Sequence, residues 1–198
     1  MRKTTTALLA GSAAALAIGC TAVAADQASH AAHQSPSATA PAPAASGYNV
    51  HLFNNEGAAA GTVTLKQGPN GLLMIVEATG LTPGWHGIHL HETGQCEAAF
   101  TSAGAHINHP EAKVPHGLMN ADGPDDGDLP NIFAHADGTA KAEIFTTRAR
   151  LSGDGQAQDL LDNDGSAIII HASADDHSSQ PIGGAGARVA CGAIQLLH

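Results

Sequence analysis

Hydrophobic and polar residues alternate along the chain from Tyr48, first over Tyr48–Phe53 and again over Gly61–Lys66. A period of two sends alternate side chains to opposite faces, so each run predicts a half-buried β-strand. Asn54-Asn55-Glu56-Gly57 joins the two, and Gly68-Pro69-Asn70-Gly71 turns the chain into a third run, Leu72–Ala78. Leu81-Thr82-Pro83-Gly84 leads into a fourth strand carrying His89 and His91. Asn131–His135 and Ala140–Phe145 flank the turn at Asp137-Gly138, Ala167–His171 makes a seventh strand, and the run from Arg188 to Leu197 makes an eighth. Two stretches break the pattern: Thr93–Leu129, too long for an ordinary connection, and a Gly-rich loop before Arg188. Amphipathic helical periods are scarce after residue 47. The pattern predicts an all-β sandwich or barrel of eight short strands with two large loops.

The first part of the chain follows another pattern. Arg2 and Lys3 precede an apolar run, Ala7–Ala17, and then small residues, so residues 1–25 predict an export signal. The run is too short and too rich in Ala and Gly to span a bilayer well. Two processing sites compete. Leu16-Ala17-Ile18-Gly19-Cys20 resembles a bacterial lipoprotein signal, apart from Ala17 where a larger aliphatic residue is usual, and would leave Cys20 lipidated as a membrane anchor. Ala22-Val23-Ala24 resembles an ordinary cleavage site and would discard Cys20. Either route leads out of the cytoplasm. Residues 26–46, rich in Ala, Pro and Ser, predict a disordered linker in which His30 and His33 read as spacers. Residues 47–198 remain as one domain of ordinary size.

The formal charge is −10, and removal of Arg2 and Lys3 takes it to −12. Such an acidic chain is a poor partner for nucleic acid or an anionic membrane surface. Histidine changes the picture further. His89 and His91, two apart on a strand, point to one face and form a ready pair of metal ligands. Seven of the 13 histidines lie between His86 and His135, and the same segment holds a run of aspartates. A loop as long as Thr93–Leu129 needs something to order it, and a metal would do so. The two cysteines of the domain, Cys96 and Cys191, most simply form one disulfide in an exported protein, which would be worth about 4 kcal/mol by chain entropy. Catalytic or metal-binding thiols are the rival reading.

The stretches GWHGIHLHE (from Gly84), Cys96, SAGAHIN (Ser102–Asn108), His116-Gly117, GDLPN (Gly127–Asn131), IIIHASADD (Ile168–Asp176) and GARVACG (Gly186–Gly192), in this order, resemble the copper/zinc superoxide dismutases, specifically the bacterial exported, periplasmic type. The resemblance runs from about Tyr48 to Leu196. It implies an eight-stranded Greek-key β-barrel with two long loops forming the metal site. It further implies superoxide dismutation to dioxygen and hydrogen peroxide in antioxidant defence, with one copper and one zinc per chain. Copper would be held by His89, His91, His106 and His171, with His106 bridging to zinc and active in catalysis. Zinc would also take His116 and Asp128. Asp175 matches an aspartate that links the two sites through ligand imidazoles, and His86 a buried histidine beside the copper. Arg188 matches a catalytic arginine near copper, whose fork of donors suits a small anion. Members occur as monomers and as homodimers.

The chain departs from the family at one place. A histidine is expected three residues before the zinc aspartate, and Asp125 stands there. The expected zinc set is therefore His106, His116, Asp125 and Asp128, more anionic than usual; Asp is a competent zinc ligand. The rival is a solvated Asp125, with His109 close enough in sequence to substitute. The spacing from His106 to His116 is also about two residues longer than usual. His51, His135, His177 and His198 receive surface or strand positions by default. The loop Ala172–Ala187 contains no lysine, so little attraction for the substrate is expected from it. A copper carrier and a copper-only dismutase are the competing functions; retention of Arg188 argues against the first, and of His116, Asp128 and Asp175 against the second. A purely structural domain leaves the ordered histidines without purpose.

Overall fold

The computed structural model describes residues 47–97, 99–109, 111–153 and 155–196. The expected export signal and linker, with Cys20, His30 and His33, lie outside the described residues, as does His198. Among the described residues the strands are β1 (Tyr48–Asn54), β2 (Ala59–Gly68), β3 (Gly71–Ala78), β4 (Gly84–His86), β5 (Ile88–His91), β6 (Ile132–Ala134), β7 (Ala140–Thr146), β8 (Ala149–Arg150), β9 (Gln158–Asp159), β10 (Ser166–His171) and β11 (Arg188–Ile194). β4 and β5 are one strand interrupted at Gly87, whose N–H donates to the Ser173 carbonyl at 2.8 Å and whose carbonyl accepts from His171 at 2.8 Å. Joined, they restore the eight expected strands. The two-residue parallel pair β8–β9 is an addition, too short to show any alternation. The last strand stops at Ile194 because the Tyr48 hydroxyl bonds both the N–H and the carbonyl of Gln195, taking that residue out of the ladder.

Seven strands form one antiparallel sheet in the order β5-β10-β11-β1-β2-β3-β7. β4 pairs with β6, and a tight turn between His135 and Thr139 leads β6 into β7, so the sheet closes on itself through the β4–β5 strand. The long connections, from β5 to β6 and from β7 to β10, give the Greek-key order. The barrel interior is filled by the inward half of each alternation, among them Leu52, Leu65, Met74, Ile88, Leu90, Ile168 and Ile170.

The outward face of β10 is also buried. Ala167 and Ile169, on the face opposite Ile168 and Ile170, pack with Phe100, Ala103 and Cys191 beneath the long loop that follows β5. His89 and His91 alternate with Ile88 and Leu90, and therefore look out of the barrel into the same covered space. Cys96 and Cys191 are joined, with Cα atoms 5.8 Å apart, which fastens that loop to β11. Replacing both cysteines by alanine should lower the unfolding free energy of the metal-free chain by about 2–5 kcal/mol in urea titrations; an unchanged midpoint would mean that the loop is fixed by other contacts.

Candidate metal centre

β5 offers its free edge to the long loop, and the loop zips onto it. Ile107 donates to the Leu90 carbonyl, Leu90 to the Gly127 carbonyl and Gly127 to the Ile107 carbonyl, at 2.8–2.9 Å. These bonds carry His106 to the side of His91 and Asp128 to the side of His89. β10, on the other edge of β5, ends at His171, whose ring lies 4.8 Å from that of His89. Four histidines from three segments thus converge, all buried.

Backbone and carboxylate oxygens fix the ring orientations. His89 uses Nε2 to donate to Asp175 at 2.8 Å, His91 uses Nδ1 to donate to the Gly104 carbonyl at 3.0 Å, and His171 uses Nδ1 to donate to the Gly186 carbonyl at 3.0 Å. Each neutral ring then keeps its lone pair on the other nitrogen. Those nitrogens, His89 Nδ1, His91 Nε2 and His171 Nε2, are buried without a hydrogen-bond partner, and so is His106 Nε2. Leaving a buried polar atom unpaired costs about 1–3 kcal/mol. The four residues offer donor atoms within 4.8 Å of one another, a cluster that a small contraction would close onto one ion.

The other nitrogen of His106 serves a second cluster. His106 Nδ1 lies 3.1 Å from Asp125 Oδ2 and 3.5 Å from Asp128 Oδ1. His116 Nδ1 meets Asp128 Oδ1 and lies 4.0 Å from Asp125 Oδ2. The remaining carboxylate oxygens are occupied by backbone: Asp125 Oδ1 accepts from Gly127 at 3.0 Å, and Asp128 Oδ2 accepts from Gly117 at 2.7 Å and Asp125 at 3.0 Å. One oxygen of each aspartate is left on the side of the imidazole nitrogens, a mix of donors that zinc accepts. Asp125 is buried beside His106 rather than in solvent. The donors that lie within 4.8 Å of one another are those of His89, His106, His116 and Asp128, and of these His89 spends its Nε2 on Asp175. His109 is exposed and accepts from Glu111, away from both clusters, so it does not substitute for Asp125.

Asp175 joins the clusters, holding His89 Nε2 with one oxygen and His116 Nε2 at 3.1 Å with the other. Asn131 holds the Asp175 backbone at both N–H and carbonyl. His177, given no role from sequence, donates its N–H to Asp175 at 2.6 Å and accepts from Asn131 through Nε2 at 3.1 Å. Its place two residues after Asp175, as in an Asx turn, was the available signal. His86 is bonded to the carbonyls of His171 at 2.6 Å and Thr82 at 2.7 Å, which pins the strand end bearing a ligand. Arg188 bonds the carbonyls of Phe100 and Gly104 and opens onto a cleft whose floor includes His91 and His106. Lys113, which no motif singled out, lines the same cleft.

The two clusters differ in their hold on protons. Burial pushes His91 and His171 down, aided by neighbouring imidazoles and Arg188, and takes His171 to about 4. Burial likewise lowers His89, only partly opposed by Asp175. At His116 burial is outweighed by the carboxylates of Asp128 and Asp175 on its two nitrogens, and the ring rises to about 10. His106 is raised against burial by Asp125 and Asp128. Burial opposes ionisation of Asp128 and Asp175 too, yet bonds from these histidines hold both well below the usual carboxylate range.

Comparison with known proteins supplies the context. Residues 59–194 match the family described as copper/zinc superoxide dismutase (SODC). The chain is 56% identical over 141 residues to a superoxide dismutase [Cu-Zn] of Caulobacter vibrioides, covering 71% of this chain and 80% of that one. It is 38% identical over 145 residues to the superoxide dismutase [Cu-Zn] of Photobacterium leiognathi, covering 68% and 78%. Among solved structures, a copper/zinc superoxide dismutase from Brucella abortus superposes with a TM-score of 0.60 at 28% identity, covering 75% of this chain and 99% of that one. A double mutant of a superoxide dismutase-like protein from Bacillus subtilis superposes with a TM-score of 0.72 at 38% identity, covering 77% and 100%.

The proton affinities predict an order of metal loss. Below about pH 10 metal-free His116 holds a proton that a metal must displace, so affinity at the aspartate-rich cluster should fall about tenfold per pH unit for each displaced proton. His171 carries no proton until about pH 4 and only the shared His106 is raised, so the all-histidine cluster should change less between pH 8 and pH 5. Chelator competition across that range should release the metal of the aspartate cluster first; simultaneous release would contradict this ordering.

Proposed function

The chain belongs to the copper/zinc superoxide dismutase family, and we propose that its oxidoreductase activity, dismutation of superoxide with copper and zinc, runs at the floor of the cleft beside Arg188. In this reading His89, His91, His106 and His171 hold copper. His106, His116, Asp125 and Asp128 hold zinc. The observation that carries it is the convergence of four buried imidazole nitrogens, each without a hydrogen-bond partner. Bound copper supplies a one-electron couple for the exchange between two superoxides, and bound zinc a fixed positive charge at the second cluster.

The overall change is balanced: two superoxides and two protons give one dioxygen and one hydrogen peroxide. The residues supply placement and protons. Arg188, its guanidinium held against two carbonyls, offers a rigid cation to a small anion at the cleft floor. When His106 Nε2 is free of metal it could hold a proton and pass it to the reduced product. The carboxylates around its Nδ1 hold that ring in place during the transfer. His89, His91 and His171 keep fixed tautomers because their outer nitrogens are hydrogen-bonded, so three of the four donors stay in place.

The charged start and apolar run of residues 1–25, together with the disulfide, support a site of action outside the cytoplasm, in the periplasm. The Asp125 assignment is the sharpest part of the reading. Plasma mass spectrometry on the purified chain should find one copper and one zinc, and Asp125→Ala should lose zinc while keeping copper. Copper alone with full dismutation in the unmutated protein would make it a copper-only enzyme; copper without turnover would make it a carrier; zinc retained in the variant would remove Asp125 from the ligand set.

A further inference from the structure

Two side-chain amides hold the main chain that delivers His116 to the aspartate cluster. Asn108 accepts from the Val114 N–H at 3.1 Å and donates to the Val114 carbonyl at 2.8 Å. This clasp gathers the long spacing between His106 and His116 into a small loop. Gln180 repeats the clasp at His116 itself. Its Oε1 accepts from the His116 N–H at 3.0 Å, and its Nε2 donates to the His116 carbonyl at 2.8 Å. Facing residues of antiparallel strands exchange two bonds in this way. Here a side chain does so from 64 residues along the chain.

Gln180 belongs to the second long loop, the one that bears Asp175. That loop therefore grips His116 twice, at ring Nε2 through Asp175 Oδ1 at 3.1 Å and at the main chain through Gln180. A ring held only at one nitrogen can still tilt about that bond. With its backbone fixed as well, Nδ1 is left one direction, toward Asp128 Oδ1. The clasp is itself braced. Gln180 Nε2 also donates to the Ser178 carbonyl at 3.1 Å, and Asp176 accepts from the N–H groups of Ser178 and Ser179 at 2.8 Å. The two loops run in contact here, since a Cβ at Gly117 would lie 2.4 Å from the His177 carbonyl oxygen. His116 is buried but Gln180 is exposed, so water can take over the glutamine's bonds when it is replaced and the fold survives. We propose that Gln180 is a positioning residue for the metal of the aspartate cluster, acting through the main chain of His116. The proposal rests on the reading of His106, His116, Asp125 and Asp128 as zinc ligands.

The test uses the copper-loaded chain, unmutated and as Gln180→Met, Gln180→Asn and Gln67→Met. Methionine keeps the length and loses the amide; asparagine keeps the amide and falls one methylene short. Gln67→Met is the structural control, because it removes a matching set of amide bonds, to Gly68, Gly71 and Leu151, from the barrel. Zinc affinity is measured by chelator competition, and cobalt(II) is added in place of zinc so that its visible d–d bands report the donor geometry. Copper affinity and the urea midpoint of the metal-free chain are measured alongside. Gln180→Met and Gln180→Asn should both weaken zinc about tenfold, the low end for outer partners of metal ligands, and shift the cobalt(II) bands. Copper affinity should stay unchanged in both. Gln67→Met should leave zinc and cobalt(II) as in the unmutated chain, whatever it does to the urea midpoint. Unchanged zinc affinity and cobalt(II) bands in Gln180→Met overturn the proposal. So does an equal loss of zinc and copper, or the same zinc loss in Gln67→Met, since either would mark a merely structural role. Gln180→Asn matching the unmutated chain overturns it too, because any polar group would then suffice. An unmutated chain that takes up neither zinc nor cobalt(II) beside its copper would instead sink the metal-site reading, and the proposal with it.

Discussion

The site depends most on one carboxylate. Asp175 holds Nε2 of His89 with one oxygen and Nε2 of His116 with the other, so a single buried anion fixes two imidazoles that come from β5 and from the long loop. A carboxylate can only accept when ionised, and this decides which nitrogen of each ring carries the proton. His89 and His116 are thereby both obliged to present Nδ1. Asp175 is in turn held by Asn131 and by the His177 N–H, and the turn at Gly183 passes so near that a Cβ there would lie 1.6 Å from its Oδ1. Its carboxyl group stays well below the usual range although burial alone would raise it, because the hydrogen bonds from His116 and His89 win.

Around that anchor the barrel and the loops divide the work. The barrel is held by ordinary apolar packing, with Ile88, Leu90, Ile168 and Ile170 inside. The loops have little core of their own and instead share backbone bonds with the edge of β5 and the disulfide to β11. Several imidazole nitrogens remain buried and unpaired in consequence, a cost that folding alone does not recover and that bound metal would offset. Stability and metal content are therefore linked in this protein.

Charge is arranged locally rather than globally. The chain is acidic, and its second cluster is rich in carboxylates, yet the cleft presents Arg188 and Lys113. His89, His91 and His171 shed their protons through burial, while His116 and the shared His106 are held toward the protonated form by carboxylates. Two donor sets that share one imidazole thus differ in proton affinity because of two carboxylates placed by a short turn, Asp125-Asp126-Gly127-Asp128.

Much of this was legible in the linear pattern. Alternation gave the eight strands, since a period of two is a local property of extended backbone. The His-x-His spacing gave two of the four clustered imidazoles for the same reason. The family motifs implied the other ligands, Asp175, His86 and Arg188, and the cysteine count implied the disulfide. The pattern could not place Asp125, because whether a carboxylate faces a metal or water is settled by backbone donors that occupy its other oxygen, here Gly127. Nor could it give His177 and Lys113 their positions, which depend on contacts across tens of residues with Asn131 and on the Asn108 clasp at Val114. Sequence by itself determined the strands and the donor chemistry, both written in neighbouring residues; the tertiary structure decided which donor atoms remain free and which charges share a cleft, because those follow from segments that meet only when the barrel closes.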